Sequence, residues 1–317
     1  MKLLRVTAAV AALALNACGG SDDDPGSTSG PPPVEPGYER IVAPLVRTSP
    51  GDDVMHCQYI VPPFERDLDI IDMKGWQSEF GHHAVAYATP NNLPVGTSGP
   101  CTGEDNVTGT FLGGVGGEAG GSIALPEGVA FRLLKGHSIM LNTHFLNVGS
   151  EPSDGESVID IRFAEIDPSR KVASMFVNIE MGFRVPAGSP LSVTAECTFP
   201  RDMDFLMFSN HMHDYGTHAS TELVRAATGS AELVREDPRW TYEMQFNSDY
   251  TLWELEDPLR IRQGDKMRTQ CNWNNPTSGE LKFPREMCVG IGFFLSDGTT
   301  SPVCVNGTWL ERRPTAP

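Results

Sequence analysis

Basic residues are scarce in this chain: 24 Lys and Arg stand against 41 Asp and Glu in 317 residues, a formal net charge of −17. The acids are spread along the chain, and a surface of that sign repels phosphate backbones, which argues against DNA or RNA as a partner. Helical periodicity is also scarce, and no cysteine belongs to a CxxC pair. The first absence speaks against a helical bundle, the second against a zinc knuckle or a thioredoxin-type redox motif. The apolar run near the start, VTAAVAALAL, is too short to persist as a membrane-spanning helix.

Turn formers are plentiful, with 32 Gly and 25 Pro. They punctuate short β-leaning runs: HHAVAYAT, GSIALPEGVAFRLL, HSIMLNTHFLNV, SVIDIRFAEI, SMFVNIEM, LSVTAECTF, DFLMFSNHMH, YEMQFN, PLRIRQGDKMRTQCNW and CVGIGFFLS. Many short strands separated by turns predict an all-β chain built from antiparallel sandwiches or jelly rolls. The polar segment GSEPSDGES at 149–157 breaks the pattern near the middle, and EIDPSR follows one strand later. We place a domain boundary near residue 165, giving units 38–165 and 166–317.

The first 17 residues have the layout of a secretory signal: Lys2 and Arg5, an apolar core, then small residues. LNAC at 15–18 resembles a bacterial lipobox, so the expected mature protein begins at a lipid-modified Cys18. Residues 18–37, rich in Gly, Ser and Pro, then read as a disordered tether. The expected location is outside the cytoplasm, lipid-anchored, at the outer membrane or cell surface if the host has two membranes. Apart from Cys18 the cysteines are Cys57, Cys101, Cys197, Cys271, Cys288 and Cys304. An even set in an exported chain predicts disulfides.

Metal-ligating candidates are His82 and His83 in GHHAVAY, His144 in LNTHFLN, His211 and His213 in NHMH, and Met287 in REMC. On a strand, residues i and i+2 share a face, so His211 and His213 can converge on one ion. His82 and His83 are adjacent and point to opposite faces, unless the backbone twists or bulges there. Imidazoles suit Zn, Cu, Fe and Ni, and a thioether favours Cu(I). Each candidate has a plainer reading: a lone histidine is most often a hydrogen-bonded polar residue, and a methionine is most often core. His56, His137 and His218 keep that plain reading.

Taken in order, GHHAVAY, LNTHFLN, NHMHDYG and CNWNNPTSGELKFPREMC resemble the copper type II, ascorbate-dependent monooxygenases. This is the family of peptidylglycine α-hydroxylating monooxygenase and dopamine β-monooxygenase. VMHCQYIVPPFERDLDIIDMKGWQ resembles the family's opening strands, and the likeness spans roughly residues 50–305. The resemblance implies two antiparallel jelly-roll β-sandwich domains in tandem, with one copper on each side of a solvent-filled cleft. His82, His83 and His144 would hold an electron-transfer copper, and His211, His213 and Met287 an oxygen-binding, catalytic one. It further implies the disulfides Cys57–Cys101, Cys197–Cys304 and Cys271–Cys288. The implied reaction hydroxylates an activated C–H bond of a small organic substrate, using O2 and a one-electron donor such as ascorbate.

The chain departs from the peptide-amidating branch. Ser209 stands where that branch has an Arg that grips the substrate carboxylate, and Val289 and Ile291 stand where it has Asn and Tyr. Val289, Ile291 and Phe293 alternate from Met287, and an apolar cleft floor is expected if that strand lines the cleft. The expected substrate is therefore apolar or aromatic, with little negative charge. The rival reading is a copper-binding lipoprotein that stores, senses or delivers the metal without catalysis. A zinc or structural-metal protein ranks third, because it leaves Met287 without a reason.

Overall fold

The computed structural model describes residues 30–91, 93–101, 109–116 and 125–311. The signal segment, Cys18 and the first part of the tether lie outside the described residues. Regular structure among the described residues is strand, apart from one turn of 3-10 helix at Tyr242–Gln245.

One large sheet runs through both halves. Its order is Glu39–Val42, Ser157–Ala164, Leu68–Gln77, Val129–Leu133, Lys171–Glu180, Cys288–Ser296, Met203–His211 and Tyr250–Leu252. In the first half a five-stranded sheet packs against it, ordered Ser98–Pro100, Asp53–Val61, Ser138–Leu146, Gly81–Thr89, Thr110–Val115. In the second half the covering sheet has four strands, ordered Pro190–Thr198, Lys266–Asn274, Gly216–Val224, Ala231–Asp237. Each half is thus a two-layer β-sandwich, with buried apolar residues such as Ile159 and Ile161 in the first core and Phe176, Phe205 and Phe294 in the second.

The halves meet at a short parallel pairing, Lys171 opposite Val129 and Val172 opposite Ala130, just after the turn 165–170. Their apolar faces are fused as well. Phe293 packs its ring 5.5 Å from Phe111 and 5.4 Å from Phe131, centroid to centroid. One buried cluster therefore contains Phe111 and Phe131 from the first half with Met287, Val289, Ile291 and Phe293 from the second. This corrects the expectation of an apolar cleft floor. The alternating row after Met287 does share a face, but the first half covers that face.

Three disulfides, Cys57–Cys101, Cys197–Cys304 and Cys271–Cys288, are formed, the same pairs that the family resemblance implies. The last two each join the four-stranded sheet to a strand of the large sheet, so they staple the layers of the second half. Disulfides of this number mark an oxidising compartment outside the cytoplasm.

The segment YEMQFN is not the strand that its composition predicts. Met244 N–H bonds to Thr241 O and Phe246 N–H to Glu243 O, closing the backbone locally. The Gln245 amide donates to the Tyr242 carbonyl and the Ser248 hydroxyl to the Met244 carbonyl, so polar side chains hold the turn together.

Candidate metal centres

The first centre is assembled across neighbouring strands. His83 on Gly81–Thr89 lies directly opposite His144 on Ser138–Leu146, and the register shifts between Gly81 and His83. That irregularity makes His82 the extra residue of a bulge, which is how two adjacent histidines reach one point. Gly116 leaves the room the bulge needs. Its φ is +95°, and a Cβ there would sit 2.5 Å from the His82 carbonyl oxygen and 2.9 Å from His83 Cα. All three imidazoles are buried, and they can offer ligand atoms that lie within 4.8 Å of one another.

Each of these rings meets an oxygen acceptor at Nε2. His144 Nε2–H donates to Asp53 Oδ1 at 2.6 Å. His82 Nε2 faces Gln245 Oε1 at 3.3 Å, and His83 Nε2 faces Asn142 Oδ1 at 3.4 Å. The Gln245 amide cannot be turned round, because its NH2 already donates to Asp214 Oδ1 at 2.9 Å and to the Tyr242 carbonyl at 3.0 Å. Acceptors at Nε2 select the Nε2–H tautomer and leave the Nδ1 lone pair as the ligand. His144 Nδ1 is a buried nitrogen with no hydrogen-bond partner, as a metal-facing atom would be. The hydrogen bond from His144 also holds the Asp53 carboxyl below its usual range, against partial burial.

The second centre stands at the end of the Met203–His211 strand. His211 is the last strand residue, His213 follows in extended chain, and their ring centroids are 5.1 Å apart. His211 pairs with Val289, so Met287, just before Cys288–Ser296, stands at the same end of the ladder. The ligand loop is tied to the methionine segment. His213 Nδ1–H donates to the Arg285 carbonyl at 3.2 Å, which leaves Nε2 to bind a metal. The wholly buried Glu286 carboxylate accepts the backbone N–H of His213 and of Tyr215 and the Trp273 indole N–H. Burial pushes the Glu286 carboxyl up. Trp240 donates its indole N–H to the His213 carbonyl at 3.0 Å.

The two sets touch. The His82 ring lies 4.8 Å from the His213 ring and 4.7 Å from His144. Asp53, His82, His144, Leu146, His213, Gln245, Pro284 and Arg285 line a small cavity there, with room for about one water. The solvent-filled cleft expected between the sets is replaced by contact between the rings. Gln245 spans the junction, accepting from His82 and donating to Asp214, which in turn pairs with Arg285.

Residues 185–308 match the family model "Copper type II ascorbate-dependent monooxygenase, C-terminal domain". This part of the chain is similar to that copper monooxygenase domain. His211, His213 and Met287 lie inside the matched range, whereas His82, His83 and His144 lie before it. No curated protein matches the chain. Among solved structures, PNGase F, a glycosylasparaginase from Flavobacterium meningosepticum, aligns over 87% of this chain and 99% of that chain, at 10% identity and TM-score 0.38. PNGF-II aligns over 82% of this chain and 65% of that chain, at 10% identity and TM-score 0.30. Likenesses this loose carry no argument about function.

Asp53, Asn142, Gln245, Arg285 and Glu286 were not visible as functional residues in the sequence. Arg285 and Glu286 adjoin Met287, a proximity that could have drawn attention to them. Ser209 is wholly buried and donates to the Asp249 carbonyl at 2.9 Å. His218 stands beside Glu236 at 3.4 Å on the four-stranded sheet of the second half.

Proposed function

We propose that the chain is a copper-dependent monooxygenase that hydroxylates an activated C–H bond of a small organic substrate, using O2 and a one-electron reductant such as ascorbate. The observation that carries this reading is the three-imidazole cluster, which lies outside the matched domain yet is assembled by the fold beside His213. A carrier needs one site; two differently built sites suit a division of labour. The donor chemistry fits copper: three imidazoles in one set, and two imidazoles with a thioether in the other. Bound copper would supply the one-electron cycling and the oxygen chemistry. In this reading His82, His83 and His144 hold the electron-transfer ion, and His211, His213 and Met287 the ion at which the reaction occurs. The units 38–165 and 166–317 are the two copper domains, tethered to a membrane through a lipidated Cys18.

The lining residues bear on the substrate. Arg285 is the cation among them, and Asp214 already neutralises it. A substrate carboxylate approaching this junction would find that cation already paired, which favours a substrate without negative charge near the reacting carbon.

The contact between His82 and His213 favours one second reading, a copper-binding protein that stores, senses or delivers the metal. Oxygen uptake separates the two. Copper-loaded protein with ascorbate, screened over small aromatic and amine compounds, is expected to consume O2 in a substrate-dependent manner with formation of an alcohol. Full copper loading with no substrate-dependent uptake over a broad panel would leave the non-catalytic reading standing.

A further inference from the structure

The Nε2 contacts of the described rings differ in charge. His82 faces the neutral Gln245 amide and His83 the neutral Asn142 amide, while His213 donates to a backbone carbonyl through Nδ1. The His144 contact is with an anion: Asp53 Oδ1 stands 2.6 Å from His144 Nε2, at the start of the Asp53–Val61 strand. The pair is held by the sheet, because Asp53 lies opposite Leu146 and Met55 opposite His144 on the adjoining strand. The Asp53 side chain is 41% exposed, and that of His144 is 5% exposed. The carboxylate therefore stands at the outer end of the ring and the lone pair at its buried end.

We propose that Asp53 is a positioning residue that sets the reduction potential of the three-histidine copper by acting through His144; this rests on the copper reading above. A carboxylate that accepts Nε2–H fixes the ring and strengthens Nδ1 as a donor. Its negative charge, relayed through the imidazole, favours Cu(II) over Cu(I) in that site. The thioether of Met287 favours Cu(I) in the other. With copper bound, this difference would favour passage of one electron from the three-histidine site, going from Cu(I) to Cu(II), to the methionine site, whose copper would be reduced by that electron. The acids at the methionine site are engaged elsewhere, Asp214 with Arg285 and Glu286 with the N–H groups of His213, Tyr215 and Trp273.

The test uses the full chain loaded with copper and Asp53→Asn, which keeps an oxygen acceptor for His144 and removes the charge. Redox titration followed by electron paramagnetic resonance separates two Cu(II) signals, and His144→Ala identifies which of them belongs to the three-histidine site. In Asp53→Asn that signal is expected to titrate at a higher potential while the other stays in place. Cu(II) affinity of that site is expected to fall about 10- to 100-fold, with Cu(I) affinity largely kept and partial recovery in Asp53→Glu. Normal copper uptake with neither potential moved, or equal losses of Cu(I) and Cu(II) affinity, would overturn this inference alone. A wild-type chain that took up no copper would overturn the copper reading and this inference with it.

Discussion

In the proposed pair of centres, Met287 supplies a thioether to a ligand set otherwise made of imidazoles. It is 6% exposed and belongs to the core that joins the halves, so the side chain is buried whether or not the sulfur binds a metal. Met287→Leu keeps the volume closely and should cost less than about 1.5 kcal/mol in stability. It should nevertheless abolish oxygen-dependent turnover and remove the sulfur signal from copper X-ray absorption, while sparing the copper of the three-histidine centre. Unchanged turnover in a folded variant would show that the thioether is core and nothing more.

Strand irregularities decide how the first centre forms. The bulge at Gly81–His83 depends on Gly116, whose left-handed backbone lies against the His82 carbonyl. Gly116→Ala is expected to push that strand away, lower the copper content of the first centre and leave the second intact. Equal copper loading, measured by elemental analysis, would contradict the role given to the bulge. The motifs GHHAVAY, LNTHFLN, NHMHDYG and REMC were legible in the sequence, because ligand types repeat at fixed local spacings. Alternation also showed that Met287, Val289, Ile291 and Phe293 share a face. It could not show what covers the face, which is decided by Phe111 and Phe131 from the other half. Gln245 and Asp53 were hidden for the same reason. Each meets its histidine through contacts between segments far apart in the chain, Gln245 from a turn whose composition reads as strand.

The assembled molecule is closed by its far end. Arg201 holds Glu311 through two bonds of 2.5 and 2.7 Å, and Thr300 and Trp309 also donate to that carboxylate. This pins the Thr308–Leu310 strand beside the Cys197–Cys304 disulfide. The hydrogen bonds from Arg201 lead in lowering the Glu311 pKa from 4.5 to about 2. A depressed carboxyl stabilises the fold above its unfolded value, and that contribution disappears as pH falls through the folded one. Glu311→Gln should therefore lower the melting temperature at pH 7, and the gap from wild type should close between pH 4.5 and about 2. A gap that stays constant over that window would assign the effect to packing.

The fused sheet and shared core bring the three-imidazole cluster into contact with His213, a member of the proposed second ligand set. Their separate identity is the centre of the account, and copper counting tests it most directly. The wild-type chain, loaded and freed of loose metal, is expected to hold two coppers, with one lost in His144→Ala and the other in His211→Ala. A single copper at saturation, or two that both survive loss of His144, would contradict it.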